Sequence, residues 1–277
     1  MYQPAIPLTG YGGWKLLQAT YDRQFEGFTK SSTVANDRSY FLEKFSKPVE
    51  LEDFLSDKRL LRISLTAFDL GGEEWKGGFI RKVMEEAADP ASTFLQRLNN
   101  PDYTNFSKAF KLFGTKLALT SDESEALADQ FESAAFREAV GEVNQSMRLS
   151  LNYENRIESI AGTSSSEQSK LYRLLGNVPM RTVMETALGL PKDFTKLDID
   201  RQAEILKEQL QSKIGITDVS QLAEPEKIDK VIQRFHAMES INNGPSATTP
   251  GYAALTLLGG SGFGAQASEN LFLSLIR

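Results

Sequence analysis

Two stretches of this chain carry identical or similar residues at matching positions, and this internal repeat constrains the fold more than any other feature. The first covers residues 57–70 and the second covers residues 177–191. The residues that correspond at an offset of 120 positions are Asp57 with Asn177, Ile63 with Val183, Thr66 with Thr186, Ala67 with Ala187, and Leu70 with Leu190. With a slightly larger offset, Tyr103, Phe106 and Phe110 match Ile228, Val231 and Phe235. Because internal repeats of this length are typical of duplicated structural units, we predict two related helical modules in tandem.

The period of the apolar residues predicts an all-α fold. Apolar side chains recur at steps of three and four along most of the chain, whereas no segment alternates in the manner of a strand. The prediction is two multi-helix modules joined by a long helix, with flexible N- and C-terminal segments. The predicted boundaries are a lead-in over 1–13, module 1 over 14–120, the connecting helix with module 2 over 121–241, and a Gly/Ser/Ala-rich linker with a terminal apolar helix over 242–277.

The connecting helix is predicted as one continuous element. It starts at Ser121, where Glu123 and Glu125 are favourable in the first turn, and its apolar stripe continues to about Ile160. Residues 10–13 contain three glycines and are expected to form a hinge before the first helix.

An aromatic stripe follows that hinge. Trp14, Tyr21, Phe25 and Phe28 recur at helical spacing and therefore share one face. The stripe is either part of the core or a face used in assembly, with the core favoured. Trp14 and Tyr21 are retained as candidates for an interaction face.

The C-terminal tail is the second candidate for an interaction face. Residues 242–264 are rich in Gly, Ser, Thr and Ala and bury too little apolar surface to offset the entropy of ordering. The chain then closes on Leu271, Phe272, Leu275 and Ile276, which share one helical face. An apolar helix after a flexible linker is expected to dock on its own body or on a partner.

Composition excludes several classes of function. The net charge is −6 and no basic run is present, which argues against nucleic-acid binding. The absence of cysteine removes disulfides and thiolate chemistry. No cleavable signal and no apolar run of about 18 residues is found, so membrane insertion is not expected. We expect a cytoplasmic protein, or one exported by a flagellar-type route without a cleavable signal.

Motifs that carry chemistry are few. The glycines of residues 259–264 lack the strand and the lysine of a phosphate-binding loop. Asp198 and Asp200 lack the other ligands of a calcium loop, and one of them is predicted to cap a helix. His236, the only histidine, is predicted to be partly exposed near the end of its helix, where the dipole favours its charged form. We therefore predict no enzyme, and no catalytic, cofactor-binding or metal-binding residues.

Several short strings together resemble an uncharacterised bacterial family, the one called domain of unknown function 1217. The strings are residues 40–41, 53–55, 57–60, 67–70, 79–83, 175–176, 181–183, 187–191, 197–202 and 232–235. The most specific part is the segment from Ala187 to Gln202. Genes of this family tend to sit among flagellar genes, so the resemblance implies a flagellum-associated role. It supplies no catalytic residues.

Two hypotheses for function remain. The first is a structural or assembly protein of the flagellum that acts through helix-mediated contacts with flagellar components or with a second copy of itself. Axial proteins of the flagellum likewise use end segments that pair on assembly. The second is a cytosolic adaptor or regulatory module, in which residues 271–276 fold over a groove until a partner helix displaces them.

Overall fold

A computed structural model of the chain describes residues 2–98 and 100–242. Within these ranges the fold is all-α, as predicted. The helices are α1 (Gly10–Thr29), α2 (Ser32–Lys44), α3 (Leu51–Ser56), α4 (Lys58–Thr66), α5 (Gly77–Ala88), α6 (Phe94–Leu98), α7 (Pro101–Ala109), α8 (Ser121–Val143), α9 (Gln145–Ala161), α10 (Glu167–Gly176), α11 (Val178–Ala187), α12 (Ile199–Gln209) and α13 (Pro225–Asn242). The predicted linker and terminal helix, apart from Asn242, lie outside the described residues.

One small sheet was not predicted. Strands β1 (Val49–Glu50), β2 (Leu112–Phe113) and β3 (Lys116–Leu117) pair antiparallel in the order β1-β3-β2. Gly114, with φ +65°, provides the left-handed turn between β2 and β3. Strands of two residues are too short to show an alternating pattern, which is why the sequence gives no sign of them.

The repeated stretches begin in the same way. Asp57 caps α4 by accepting a hydrogen bond from the backbone N–H of Leu60 (3.0 Å). Asn177 caps α11 by accepting one from the N–H of Met180 (3.1 Å). Each side chain therefore satisfies a backbone donor that the first helical turn leaves unpaired.

The repeated stretches also end in the same way. Asp69 and Gly189, which are 120 positions apart, both have φ +57°. The next residue then bonds back into the helix, from Leu70 N to Leu65 O (3.0 Å) and from Leu190 N to Glu185 O (2.8 Å). This six-residue closure after a left-handed residue is a Schellman-type ending. The internal repeat of the sequence is thus a repeat of backbone geometry.

The long connecting helix is two helices, and its prediction as one element was wrong. The chain breaks at Asn144 (φ −153°, ψ 107°), whose side chain accepts a hydrogen bond from the N–H of Met147 (3.2 Å) and so caps α9. Helix α9 packs against α8. The apolar stripe continues through the break because both helices face the same core, and the stripe alone does not show the change of direction.

The N-terminal segment lies along α1. Residues 2–9 precede the helix without regular structure, as an extended lead-in should. The side chain of Gln24 accepts from the N–H of Ala5 (2.7 Å) and donates to its carbonyl (3.3 Å), and the ring of Tyr2 meets Phe28 edge-on. Helix α1 starts four residues earlier than predicted, so residues 10–13 form its first turn and not a hinge. A side chain at position 13 would place its Cβ 2.2 Å from the carbonyl oxygen of Leu8, so glycine is required there.

The buried apolar residues form one continuous core that extends through both modules. Helix α1 packs against α8 and also against α13, so the first helix of the chain contacts both the connecting helices and the last described helix.

Candidate functional site

Trp14 is in the core and not on an interaction face. Its side chain is fully buried, and its ring lies 6.3 Å from the imidazole of His236, measured between ring centroids. Phe28 is buried as well. The candidacy of Trp14 as an interaction residue is therefore corrected. The physical reason is that α1 packs against α8 on one side and α13 on another, and the aromatic stripe faces both helices.

Tyr21 occupies an intermediate position. Its ring is half-buried and meets Phe136 edge-on at a centroid distance of 5.2 Å, while Phe25 stacks beside it at 5.9 Å. Burial raises the pKa of the Tyr21 hydroxyl. The remaining four candidate residues, Leu271, Phe272, Leu275 and Ile276, lie outside the described residues.

The exposed apolar residues that the structure does describe include two at one end of the α1–α13 pair. Leu8 is 53% exposed and Ile241 is 56% exposed. They flank a close contact, since a Cβ added at Gly10 would lie 3.6 Å from the hydroxyl of Ser240. The start of α1 and the end of α13 are therefore neighbours, and residues 243–277 continue from this point. The sequence pattern did not single out Leu8 or Ile241.

Polar contacts also join α1 to the beginning of α13. The hydroxyl of Tyr11 donates to one carboxylate oxygen of Asp229 (2.8 Å), and the ammonium of Lys15 bonds to the other (2.5 Å). Lys15 and Asp229 are both almost half exposed, so the ion pair itself stabilises the contact only weakly. Together with the apolar packing it fixes the register of α1 on α13.

A pocket of about 330 Å³ opens between α1, α8 and α9. Tyr21 and Leu151 supply apolar surface, and the other lining residues are polar. These are Gln18, Asp22, Ser133, Arg137, Glu154 and Asn155.

Behind this pocket lies a partly buried group of four charges. The carboxylate of Asp69 pairs with Arg137 (3.0 Å) and with Arg156 (2.6 Å), and Arg156 also pairs with Asp102 (2.6 Å). Burial alone would raise the pKa of Asp69, but the two guanidinium charges outweigh it and lower that pKa. Burial raises the pKa of Asp102, because the one arginine that pairs with Asp102, Arg156, also pairs with Asp69. These ion pairs connect the loop that follows α4 with three helices, α7, α8 and α9.

The carboxylates at the pocket rim are not compensated in this way. Glu154 accepts a hydrogen bond from the neutral amide of Gln18 (3.1 Å). Although Glu154 as a residue is exposed, its pKa is raised because neighbouring side chains partly withdraw the carboxylate from water. Asp22 makes no ion pair with any residue in the described part of the chain.

His236 is buried, which corrects the expectation that it is partly exposed. Only 1% of it is accessible, its Nε2 lies 3.0 Å from the hydroxyl of Ser150, and burial lowers its pKa to about 4. The imidazole is therefore neutral at pH 7, whereas a helix dipole would have favoured the charge. Helix α13 continues to Asn242, so His236 lies in its interior.

The described residues were compared with the requirements of a metal site and of a membrane-spanning helix. Across residues 2–98 and 100–242, no three His, Asp or Glu side chains come close enough to hold a metal ion. Asp198 is the N-cap of α12, accepting from the N–H of Arg201 (2.9 Å), and Asp200 accepts a hydrogen bond from Tyr172. None of the described helices combines the length and the apolar content that a membrane crossing requires.

The sequence profile of the family described as "Protein of unknown function (DUF1217)" matches residues 67–228, which is more than half of the chain. The chain belongs to the DUF1217 family. The match confirms the resemblance drawn from the short strings. No curated protein matches the sequence.

Among solved structures, protein AGR_C_984 from Agrobacterium tumefaciens resembles this DUF1217 chain. The TM-score is 0.66 and the sequence identity is 22%, and the alignment covers 87% of this chain and 99% of the other. At this identity the likeness shows the fold alone. The DUF1217 match contains Asp69, Arg137 and Arg156, so the charged group lies within the family region, whereas α1 lies before it.

Proposed function

We propose that this DUF1217 protein is a non-enzymatic structural or assembly protein of the flagellum that acts through helix-mediated contacts with other proteins. The observation that carries the proposal is the contact between the start of α1 and the end of α13. The start of α1 and the end of α13 lie side by side, each with an apolar residue, Leu8 or Ile241, that is more than half exposed. Residues 243–277 continue from the same place.

The apolar residues at this end favour binding to another protein surface. Fully burying a leucine or isoleucine side chain contributes about 1.5–3 kcal/mol. Leu8 and Ile241 are about half exposed, so each gains about 1 kcal/mol when a partner covers it. This is too little for a stable complex, and the apolar residues at 271–276 of the tail are the next source of contact area.

The flagellar part of the proposal rests on the DUF1217 family, whose resemblance implies an association with flagellar genes. The arrangement of the two ends is compatible with this role, since axial proteins of the flagellum pair their end segments on assembly. The rigid part of the molecule is then the continuous core, which fixes the positions of the start of α1 and the end of α13.

Deletion of residues 243–277 tests the proposal. We expect the truncated protein to lose self-association or partner binding, measured by sedimentation at increasing concentration, while its melting temperature stays unchanged. A truncated protein that melts at a lower temperature and exposes an apolar groove would favour the adaptor hypothesis, in which the tail folds back on its own body.

Two substitutions test the end formed by α1 and α13 separately from residues 243–277. Leu8→Ser with Ile241→Ser is expected to weaken association about tenfold or more, because about 2 kcal/mol of apolar burial is lost. Trp75→Ser is the matched control, since Trp75 is 78% exposed in a 3₁₀ turn before α5. Equal weakening by both variants would contradict a specific role for the α1–α13 end.

A further inference from the structure

The two copies of the internal repeat end in the same backbone geometry but differ in the side chain at the left-handed position. Asp69 and Gly189 both have φ +57°, and the N–H of each bonds to the carbonyl of the threonine three residues earlier (3.0 Å in both copies). In the first copy, the carboxylate of Asp69 pairs with Arg137 (3.0 Å) and with Arg156 (2.6 Å). Two cations therefore converge on a carboxylate at this position.

Two cations also converge on this position in the second copy, where glycine supplies no carboxylate. The ammonium of Lys213 donates to the carbonyl of Leu188, and Nε of Arg234 donates to the carbonyl of Ala187 (3.1 Å). A Cβ added at Gly189 would lie 3.9 Å from Nζ of Lys213, so a carboxylate at this position lies within reach of the ammonium. The two cations come from the turn after α12 and from α13.

The charges of these two cations are not matched. Neither Lys213 nor Arg234 forms an ion pair in the part of the chain that the structure describes. Burial and the charge of Arg234 lower the pKa of Lys213, and burial lowers the pKa of Arg234. The negative end of the α11 dipole offsets only part of this repulsion. An anion that contacts both groups is therefore favoured.

Both cations are accessible to a ligand. Lys213 and Arg234 are partly exposed, and Gly189 between them and the solvent is exposed. The ammonium uses one of its donors on Leu188, and the Nη groups of Arg234 donate to no acceptor within residues 2–98 and 100–242. Ammonium and guanidinium N–H groups are the donors that bind a carboxylate most strongly.

Apolar residues continue from this position toward the end formed by α1 and α13. Cε of Met238 lies 3.2 Å from the Cβ position at Gly189. Arg234, Met238 and Ile241 follow one another on α13 at steps of four and three, so they share one helical face. Because Ile241 is 56% exposed, a segment that binds along this face would meet positive charge first and apolar surface next.

We propose that the second copy of the repeat binds a carboxylate of a partner protein between Lys213 and Arg234, where the first copy holds the carboxylate of Asp69. The bound carboxylate lies over Gly189, and apolar side chains of the partner pack on Met238 and Ile241. That the carboxylate belongs to a protein rests on the proposed function, whereas small probes test the site itself, so the two proposals can fail separately.

The test uses the full-length, isotope-labelled protein and three blocked amino acids at constant ionic strength. N-acetylglutamate α-amide carries a side-chain carboxylate, N-acetylalanine carries a C-terminal carboxylate, and N-acetylalaninamide carries none. We expect the two carboxylate probes to bind with a dissociation constant of about 10 mM, because a few charge-assisted hydrogen bonds are the only contacts. The resonances that shift should be the amides of residues 187–190 and the side chains of Lys213 and Arg234.

One substitution removes a cation from the site. Lys213→Gln is expected to weaken binding of the carboxylate probes about tenfold, through loss of one charge-assisted hydrogen bond. Lys30→Gln is the matched control, because Lys30 also lies at a helix end but is already paired with Glu26 (2.5 Å). It should bind the probes as the wild type does.

A second pair of variants places the carboxylate in the chain itself. Gly189→Asp and Gly189→Asn have the same backbone cost at φ +57°, and only the aspartate carries a charge. We expect Gly189→Asp to unfold at a higher urea concentration than Gly189→Asn at low salt, with the difference lost in about 1 M sodium chloride. The dipole of α11 acts in the opposite direction, so this order requires the two cations. Gly189→Asp should also lose binding of the probes.

The probes distinguish the two sources of the carboxylate. Tighter binding of N-acetylglutamate α-amide assigns the site to an acidic side chain, and tighter binding of N-acetylalanine assigns it to a chain terminus. The proposal is overturned if N-acetylalaninamide shifts the same resonances equally, if no probe shifts them at about 100 mM, if Lys213→Gln binds like the control, or if Gly189→Asp is no more stable than Gly189→Asn at low salt.

Discussion

Replacement of Asp69 tests how much the ion pairs among Asp69, Asp102, Arg137 and Arg156 stabilise the fold. Asp69 is 17% exposed in its side chain and pairs with Arg137 and Arg156, which are 8% and 17% exposed. Removing one partner of a buried ion pair costs about 3–5 kcal/mol, because the remaining charge is left without compensation. Asp69→Ala removes the partner of two arginines, so we expect a loss of unfolding free energy of about 4 kcal/mol.

The backbone adds a second contribution at this position. With φ +57°, alanine pays a further cost of about 1 kcal/mol that glycine does not. Asp69→Gly is therefore expected to be about 1 kcal/mol more stable than Asp69→Ala. Asp69→Asn tolerates the left-handed conformation and keeps an acceptor oxygen, so its cost is smaller, about 2 kcal/mol.

The assay is urea unfolding at pH 7 followed by circular dichroism. Asp193→Asn is the control, since Asp193 pairs with Lys196 on the surface with 79% of its side chain exposed, and we expect a change within about 0.5 kcal/mol. A loss for Asp69→Ala no larger than that of the control would contradict the stabilising role of the ion pairs. Equal stability of Asp69→Ala and Asp69→Gly would contradict the backbone cost at φ +57°.

Four further predictions follow from local geometry. Gly189→Ala should cost about 1–2 kcal/mol, because φ is +57° and the new Cβ lies 3.2 Å from Met238 Cε, whereas Gly176→Ala, in open space, should cost nothing in the same urea titration. Asn144→Ala should cost about 1 kcal/mol by loss of the α9 cap, measured in the same way. Burial lowers the pKa of His236 to about 4, so the imidazole binds a proton more readily in the unfolded chain. Its effect on the free energy of unfolding is therefore absent above about pH 6.5. As the pH falls from there toward 4, the free energy of unfolding should decrease by about 3 kcal/mol. His236→Gln should remove that part of the pH dependence, and an unchanged pH profile would contradict the burial argument.

Local signals explain what the sequence predicts well. The cap at Asp198 acts within three residues of its own position, so the residue type alone indicates a helix start. The same signal at Asp57 was missed, because the apolar spacing continues across it and predicts one helix over 52–70 where the structure has α3 and α4. The repeat at 120 positions is visible because Thr66, Ala67 and Leu70 recur as Thr186, Ala187 and Leu190. The left-handed position that ends each copy is not visible in this way. Asp69 and Gly189 occupy it with different residue types, which a comparison of letters alone does not detect.

Tertiary contacts decide what the sequence does not predict. The break at Asn144 leaves the apolar stripe intact, so periodicity continues across it. Trp14 and His236 are buried because α1 and α13 pack on each other, and these two helices are more than 190 residues apart in the sequence. The pocket residues Gln18 and Glu154 come from helices more than a hundred positions apart, and no motif connects them.

We propose that the protein works by contact with flagellar components through the end formed by α1 and α13. The most direct measurement is recovery of the full-length protein, with the proteins bound to it, from cells with and without a working flagellar export apparatus. We predict that identified flagellar components are recovered with the wild type only when the apparatus works, and that Leu8→Ser with Ile241→Ser loses them while Trp75→Ser retains them. Recovery from the cytosol alone, unchanged between the two kinds of cell and without any flagellar component, would contradict the claim.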